Sequence, residues 1–274
     1  MFKVKGIVDN LKEEGYVVIP FLSDLELELL RSEYARFEPF HKFNGENYHH
    51  STFHTKDKVL NNKVMAAIMG VIQPKIDQIA GSYSVFAANF MIKESGEASE
   101  VIPHQDWTYV HETEYASYNI WIPLLDVNHR NGCMTVLPKS HSIRLSHRPS
   151  PYYPNIFEKV MSEARSQMIE IPMKAGDAII FNHATLHGSV PNISGEKRPN
   201  AVVGIYNKEA QLIHQRYDST SNEIREYFVP LENFPEIAYE SYFVDHQPEK
   251  VYTPLFPQID HEEFGGLYLA SRVK

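Results

Sequence analysis

A single cysteine, Cys133, stands in 274 residues, so the chain holds no internal disulfide framework and no Cys-x-x-Cys metal or redox site. That economy fits a reducing, cytoplasmic setting. Positive charge is also scarce: Lys and Arg total 26 against 35 Asp and Glu, a net charge of -9, which excludes the basic footprint of a general nucleic-acid binder. No apolar run approaches the roughly 20 residues that span a bilayer, and the opening MFKVKGIVDNLKEEGY has early acids and no uninterrupted apolar stretch, unlike a secretory signal. Internal repeats, low-complexity tracts and Gly/Ser linkers are absent, so residues 1–274 read as one domain. There is no HExxH or GxSxG motif, and Gly195-Glu-Lys197 lacks the preceding glycine of a phosphate loop, so neither serine-nucleophile chemistry nor nucleotide hydrolysis has support. With 43% hydrophobic and 22% charged residues the chain is an ordinary globular protein. Histidine is what it has in quantity, 14 of them.

Helical signals come first. Gly15-Tyr-Val-Val-Ile-Pro20 reads as a short strand, after which Ser23 caps a helix, Glu26 bonds back to it and Leu22 with Leu27 forms a hydrophobic staple. Leu60, Val64, Ala67, Ile68, Val71 and Ile72 recur at helical spacing, and Pro74 is expected to kink or end that run before Ile76 and Ile79. After Gly81 the pattern changes to short β-forming runs: Tyr83 to Lys93, Tyr118 to Leu125, Met134 to Leu137, Met168 to Met173, Ala178 to Asn182 and Ala201 to Asn207. A helix over Ile156 to Arg165 and turns at Asn131-Gly132 and Gly176-Asp177 lie between them. Helices over about 1–80, then a block of strands over about 81–218, favour a mainly β sandwich or barrel with helices on one side. Residues 219–274 alternate proline with Tyr and Phe, as an ordered tail wrapping the core would.

The chemistry begins at Ile102-Pro-His104-Gln-Asp106-Trp107. On an extended segment residues i and i+2 project to the same side, so His104 and Asp106 offer an imidazole and a carboxylate to one point. A facial two-His-one-carboxylate metal site needs one further imidazole and leaves three positions open. His187 is the candidate, following the strand Gly176-Asp-Ala-Ile-Ile-Phe181 and preceding Gly188-Ser189, where glycine permits close backbone approach. A dicarboxylate cosubstrate would need its far carboxylate held. Arg198, 11 residues on, supplies the planar fork suited to it, and Ser189 can add a hydroxyl.

In this order the residues resemble the phytanoyl-CoA dioxygenase family of iron(II)- and 2-oxoglutarate-dependent oxygenases. The stretches that carry the likeness are Glu14-Gly-Tyr-Val-Val-Ile-Pro-Phe-Leu-Ser23, His104-Gln-Asp-Trp107, Asn131-Gly-Cys-Met-Thr-Val-Leu-Pro-Lys-Ser-His141, Gly176-Asp-Ala-Ile-Ile-Phe181 and Leu186-His-Gly-Ser189 with Arg198, from about Leu11 to about Tyr217. The resemblance implies a double-stranded β-helix of the jelly-roll, cupin-like type. It implies His104, Asp106 and His187 as ligands of Fe(II), Arg198 and Ser189 on 2-oxoglutarate, and Trp121 and Asn89 beside that cosubstrate, with O2 as the second cosubstrate. Halogenating relatives replace the carboxylate ligand by a small residue. Asp106 is present, so hydroxylation is preferred. The usual Pro-Gly-Ser-His reads Pro138-Lys-Ser-His141 here, a loop variation.

Other histidines have plainer readings. His183 lacks the following Gly-Ser and is read as structural or supporting, and His141 as a support for its loop. His49, His50 and His54 with Phe40, Phe43, Tyr48 and Phe53 read as a solvated loop first and as a substrate cover second. Gln105, Trp107 and Tyr109 beside the metal pair read equally as core or as substrate contacts, and Cys133 as a small core hydrophobe. The expected partner is a small metabolite or a carrier- or CoA-linked substrate, with no nucleic acid and no membrane. Monomer and homodimer both remain open. The rival readings are the same metal site performing desaturation, epoxidation or cyclisation, and a non-catalytic β-barrel that binds a metal or small molecule.

Overall fold

The computed structural model describes residues 2–40, 48–54, 57–143, 147–151, 155–238, 240–255 and 257–266. The helical N-terminal part comprises α1 (Lys5–Glu13), β1 (Tyr16–Pro20), α2 (Asp24–Phe37), β2 (His49–Ser51) and α3 (Lys58–Ile79). Then follow β3 (Tyr83–Lys93), β4 (Val101–His104), β5 (Ser117–Pro123), β6 (Met134–Val136), α4 (Met161–Gln167), β7 (Ile169–Ile171), β8 (Asp177–Asn182), β9 (His187–Ser189) and β10 (Arg198–Asn207). The C-terminal part carries β11 (Ile213–Asp218), β12 (Glu223–Phe228), α5 (Glu240–Val244), β13 (Lys250–Tyr252) and α6 (His261–Phe264). No helix among the described residues is long and apolar enough to cross a membrane.

Two sheets face each other as a jelly roll: a six-stranded one in the order β1-β8-β5-β10-β3-β2 and a four-stranded one in the order β4-β9-β6-β7. The larger sheet is buried on both faces, which explains why its strands read as nearly continuous apolar runs instead of clean alternation. Ala88, Phe90 and Ile92 of β3, Ile120 and Ile122 of β5 and Ala201, Val203 and Ile205 of β10 pack outward against Leu30 of α2 and Val64, Ile68, Ile72 and Ile76 of α3. The alternate residues of these strands and of β8 face inward. Trp121, Ile179, Phe181 and Val202 there meet Met134, Val136 and Ile171 of the smaller sheet.

The expected capping box is present, with the Ser23 amide donating to Glu26 Oε2 at 2.8 Å, and Leu22 and Leu27 both join the helix-sheet core. Pro74 neither ends nor splits α3, which continues to Ile79. The reason is lateral: Ile68, Ile72 and Ile76 lie on one buried stripe at i, i+4 and i+8, and that burial offsets the lost backbone hydrogen bond. The helix expected over Ile156 to Arg165 is instead a 3-10 turn, Glu158–Val160, followed by α4. Lys139, where the resemblance leads one to expect glycine, adopts φ +66°, the left-handed conformation that glycine takes without strain. Its amide donates to the Glu14 carbonyl at 2.8 Å, tying this turn to the C-terminal end of α1.

Part of the C-terminal segment is more regular than a wrapping tail. β11 and β12 form a hairpin joined by β13 into a third sheet, and Phe234, Ile237 and Tyr242 pack with Phe86 and Tyr206 of the β-core.

Ile120 is fully buried at the centre of the larger sheet. Ile120→Ala is expected to lower unfolding free energy by about 2–5 kcal/mol, read as a fall in the urea midpoint at unchanged slope.

Candidate metal centre and the two cavities beside it

The smaller sheet brings the histidines together. Across the β4–β9 ladder, His104 stands directly opposite His187 and Val101 opposite Ser189. Gly188 makes the approach possible, because a Cβ at that position would lie 2.5 Å from the Val101 carbonyl oxygen. One ligand atom each from His104, Asp106 and His187 lies within 4.8 Å of the others. His104 Nε2 is 3.7 Å and His187 Nε2 3.8 Å from Asp106 Oδ1, so the three converge on one point without bonding to each other.

Each member is aimed by a second bond. His104 Nδ1 lies 2.9 Å from the Ile102 carbonyl and His187 Nδ1 3.0 Å from the Thr185 carbonyl. Those carbonyls can only accept, so Nδ1 carries a proton in both rings and Nε2 is the nitrogen turned to the centre. Asn119 Nδ2 donates to Asp106 Oδ2 at 2.9 Å, leaving Oδ1 toward the imidazoles. The Asp106 amide bonds to the His183 carbonyl at 2.9 Å, which anchors the segment between strands. Burial pushes the His187 imidazolium down to about 4, so the ring is neutral at ordinary pH. Burial opposes ionisation of Asp106, but His187, His183, His104 and Arg148 together hold its carboxyl below the usual range.

Two cavities meet at His104 and Asp106, and His187 lines the inner one. The inner one, about 130 Å³, is lined by Trp121, Ser189, Arg198, Asn200, His49 and a residue that the sequence reading did not single out, Lys93. Register explains its presence: Arg198 pairs with Lys93 across β10 and β3, and His49 pairs with Lys93 across β2 and β3, so three basic side chains form one row. Lys93 is 1% exposed, and its Nζ donates to Ser189 Oγ at 2.7 Å and to the Val190 carbonyl. Arg198 is 4% exposed and bonds Asn200 Oδ1 through one terminal nitrogen, while its Nε has no hydrogen-bond partner. Its guanidinium lies 5.0 Å from the Trp121 ring centroid, so Trp121 touches the cation's face. Burial and the adjacent Arg198 push the Lys93 ammonium down to about 7, and burial lowers Arg198 to about 10. Two buried cations with an unfilled donor make a cradle for an anion.

The outer cavity, about 270 Å³, shares His104, Asp106, Asn119, Met91 and Val202 with the inner one, and half of its other lining residues are aromatic. The resemblance assigns Asn89 to the cosubstrate; in the structure it lines this outer cavity and its Oδ1 accepts from Ser51 at 3.1 Å. Trp107, Tyr109 and Gln105 line it as well. His183 lies apart from the cluster, its Nδ1 2.7 Å from Ser117 Oγ, and its fully buried ring packs on Tyr109 and Phe86. His141 is buried against the Lys12 carbonyl, as a loop support would be. Of the His-rich stretch, His49 reaches the inner cavity and Phe53 the outer one, while Phe43 and the side chain of His54 lie outside the described residues. Cys133 is buried, with burial raising its thiol to about 11, which leaves it unreactive. Lys93 carried a usable signal, a lone lysine ending an apolar strand, yet only cross-strand register gives that position meaning.

Residues 11–200 match the family model described as phytanoyl-CoA dioxygenase (PhyH). A phytanoyl-CoA dioxygenase of Arabidopsis thaliana is 29% identical over 126 residues, covering 42% of this chain and 41% of that protein. A phytanoyl-CoA dioxygenase domain-containing protein of Dictyostelium discoideum is 29% identical over 116 residues, covering 40% and 41%. The matched segments thus span about two fifths of the length of these relatives. Among solved structures, the epimerase SnoN, in complex with Fe3+, alpha ketoglutarate and nogalamycin RO, has a TM-score of 0.59 at 17% identity, covering 92% of this chain and 94% of its own. HygX from Streptomyces hygroscopicus, with nickel, 2-oxoglutarate and hygromycin B bound, has a TM-score of 0.54 at 12% identity, covering 75% and 88%. At these identities the likeness is one of fold.

Gly188→Ala pushes β4 away from β9. It is expected to lower stability by about 1–3 kcal/mol and to weaken divalent-metal binding about 10-fold or more, read by thermal denaturation and metal titration. Gly6→Ala, where an added Cβ meets nothing within 4 Å, serves as the neutral control.

Proposed function

Because the chain belongs to the phytanoyl-CoA dioxygenase family, we propose that it is an iron(II)- and 2-oxoglutarate-dependent dioxygenase that hydroxylates an unactivated C–H bond of a small organic substrate. One observation carries this reading: the His104, Asp106 and His187 donors converge where a cavity with two buried cations meets a larger aromatic cavity. The residues suit the metal. Two imidazoles that turn Nε2 to the centre and one carboxylate oxygen are the donor set of a facial site that leaves positions open. They also suit the cosubstrate, since the unfilled Arg198 Nε and the Lys93 ammonium would hold its far carboxylate, with Ser189 between them.

Iron with 2-oxoglutarate supplies, when bound, the oxygen activation, with succinate and carbon dioxide as co-products. The chain's own residues do the rest. The Ile102 and Thr185 carbonyls keep both imidazoles in the ligating tautomer, and Asn119 orients Asp106. Trp121 props the guanidinium, and the tight inner cavity keeps bulk water from Arg198 and Lys93, where a charge-assisted bond is strong. Asp106 occupies the position that a halide would need, which supports hydroxylation over halogenation. A barrel that merely binds a metal has no use for two buried cations beside it, since each costs free energy to desolvate.

Anaerobic addition of Fe(II) and 2-oxoglutarate is expected to give a weak visible charge-transfer band, which His187→Ala abolishes. No band in the intact protein would sink the proposal. Arg198→Ala and Lys93→Met are each expected to weaken 2-oxoglutarate binding by about 10-fold or more, by titration of that band. The Lys93 ammonium faces Arg198 and His49 from the neighbouring strands, with Cys133 and Glu100 nearby. It is protonated below about pH 7 and lost above it, so affinity for 2-oxoglutarate should fall from about pH 6 to about pH 9. The fall should be absent in Lys93→Met.

A further inference from the structure

We propose that the substrate portion entering the active site is an uncharged, ring-bearing group, and that groups carrying a carboxylate or a phosphate are not taken into the outer cavity. This deepens the oxygenase reading and rests on it.

Charge is divided sharply between the two cavities. The cations Lys93 and Arg198 line the inner cavity, together with His49, whose imidazole burial keeps neutral; Arg148, which bonds the Asp106 carbonyl, is paired with Glu112 and lines neither cavity. Among the described residues lining the outer cavity, the only ionisable groups besides Tyr109 are the triad members His104 and Asp106. An anion placed there would meet neutral donors but no cation to offset its desolvation.

The wall is built for rings. Phe86 packs on Tyr109 at 4.7 Å and on Phe234 at 4.6 Å between centroids, and Phe53 continues the array 6.4 Å from Phe234. Trp107 lines the same cavity. Tilted and edge-to-face packing of this kind extends naturally to one more ring. Gly204, on the floor, keeps the space open: a Cβ there would lie 2.5 Å from the Phe86 ring. The polar groups are few and neutral. Burial and nearby Asp106 keep the Tyr109 phenol protonated, so it donates, and the Ser51–Asn89 pair offers a hydroxyl and an amide. At about 270 Å³ the cavity falls just under the roughly 300–1,000 Å³ usual for ligand pockets. It suits one or two fused rings, or the reacting end of a larger molecule.

The charge balance bears on cations. A divalent metal with Asp106 and a dicarboxylate carries one net negative charge, and Arg198 with a protonated Lys93 carries two positive ones. The net positive charge opposes a cationic substrate, whereas an anion is opposed by the outer wall, which offers it no cation.

The test is calorimetric titration of the full-length protein with four probes: 2-naphthol, 2-naphthoate, (2-naphthyl)trimethylammonium and octanoyl-CoA. It is run on the metal-free chain and repeated with Ni(II) and 2-oxoglutarate. Naphthol is expected to bind about tenfold tighter than any charged probe. Phe53→Arg, on the half-buried rim of the cavity, should reverse the order of naphthol and naphthoate, an exchange that simple loss of structure cannot produce. The proposal is overturned if naphthoate, the ammonium or octanoyl-CoA binds as tightly as naphthol, if no probe binds, or if Phe53→Arg weakens all four alike. The Fe(II)–2-oxoglutarate band, measured in parallel, separates the two failures. A missing band with naphthol still preferred removes the oxygenase reading alone, and a normal band with no naphthol preference removes the substrate class alone.

Discussion

The close approach of β4 to β9 is the constraint on which the rest depends. Two short strands meet with His104 opposite His187, and Gly188 lets the Val101 carbonyl come nearer than any side chain would allow. Without that contact the imidazoles would stand too far apart to share a point with Asp106. Their orientation costs little extra, since each ring bonds a carbonyl two residues before it in its own chain. A single strand-strand contact therefore sets distance and local backbone sets direction, the two requirements of a preorganised site.

The larger sheet supplies rigidity and chemistry from the same residues' alternation. Its outward positions, Phe90, Ile120 and Val203 among them, seal the helical layer, while its inward positions place Lys93, Asn119, Trp121 and Arg198 around the centre. Helices that look peripheral thus hold the site still. A shift of one residue in the β3–β10 register would exchange the two sets, bury cations among the helices and turn isoleucines toward the cavity, so the fold and the site stand or fall together.

Division of charge is the third feature. Basic side chains collect in a row across β2, β3 and β10 on one side of the triad, and aromatic rings from β3, the segment after β4 and the 3-10 turn Leu231–Ala238 collect on the other. In a low-dielectric interior such separation discriminates, because a charge on the wrong side meets no group of opposite charge beyond the triad.

The sequence alone determined the local and the pairwise. Alternation on an extended segment put His104 and Asp106 on one side, the Ser23–Glu26 box marked a helix start, and the ordered motifs around Asn131, Gly176 and His187 indicated the family and its jelly roll. Those are short-range properties, written in spacing. Tertiary structure decided what depends on register and on burial from two sides. It carried α3 through Pro74, because packing of an isoleucine stripe outweighs one hydrogen bond. It placed Lys93 beside Arg198, residues 105 positions apart, and set Asn89 facing the aromatic cavity next to Ser51. It also folded part of the Pro-rich C-terminal segment against the β-core, so that Phe234 became a wall of that cavity. Spacing along a chain encodes which side chains share a face; only the closing of one sheet upon another decides what that face meets.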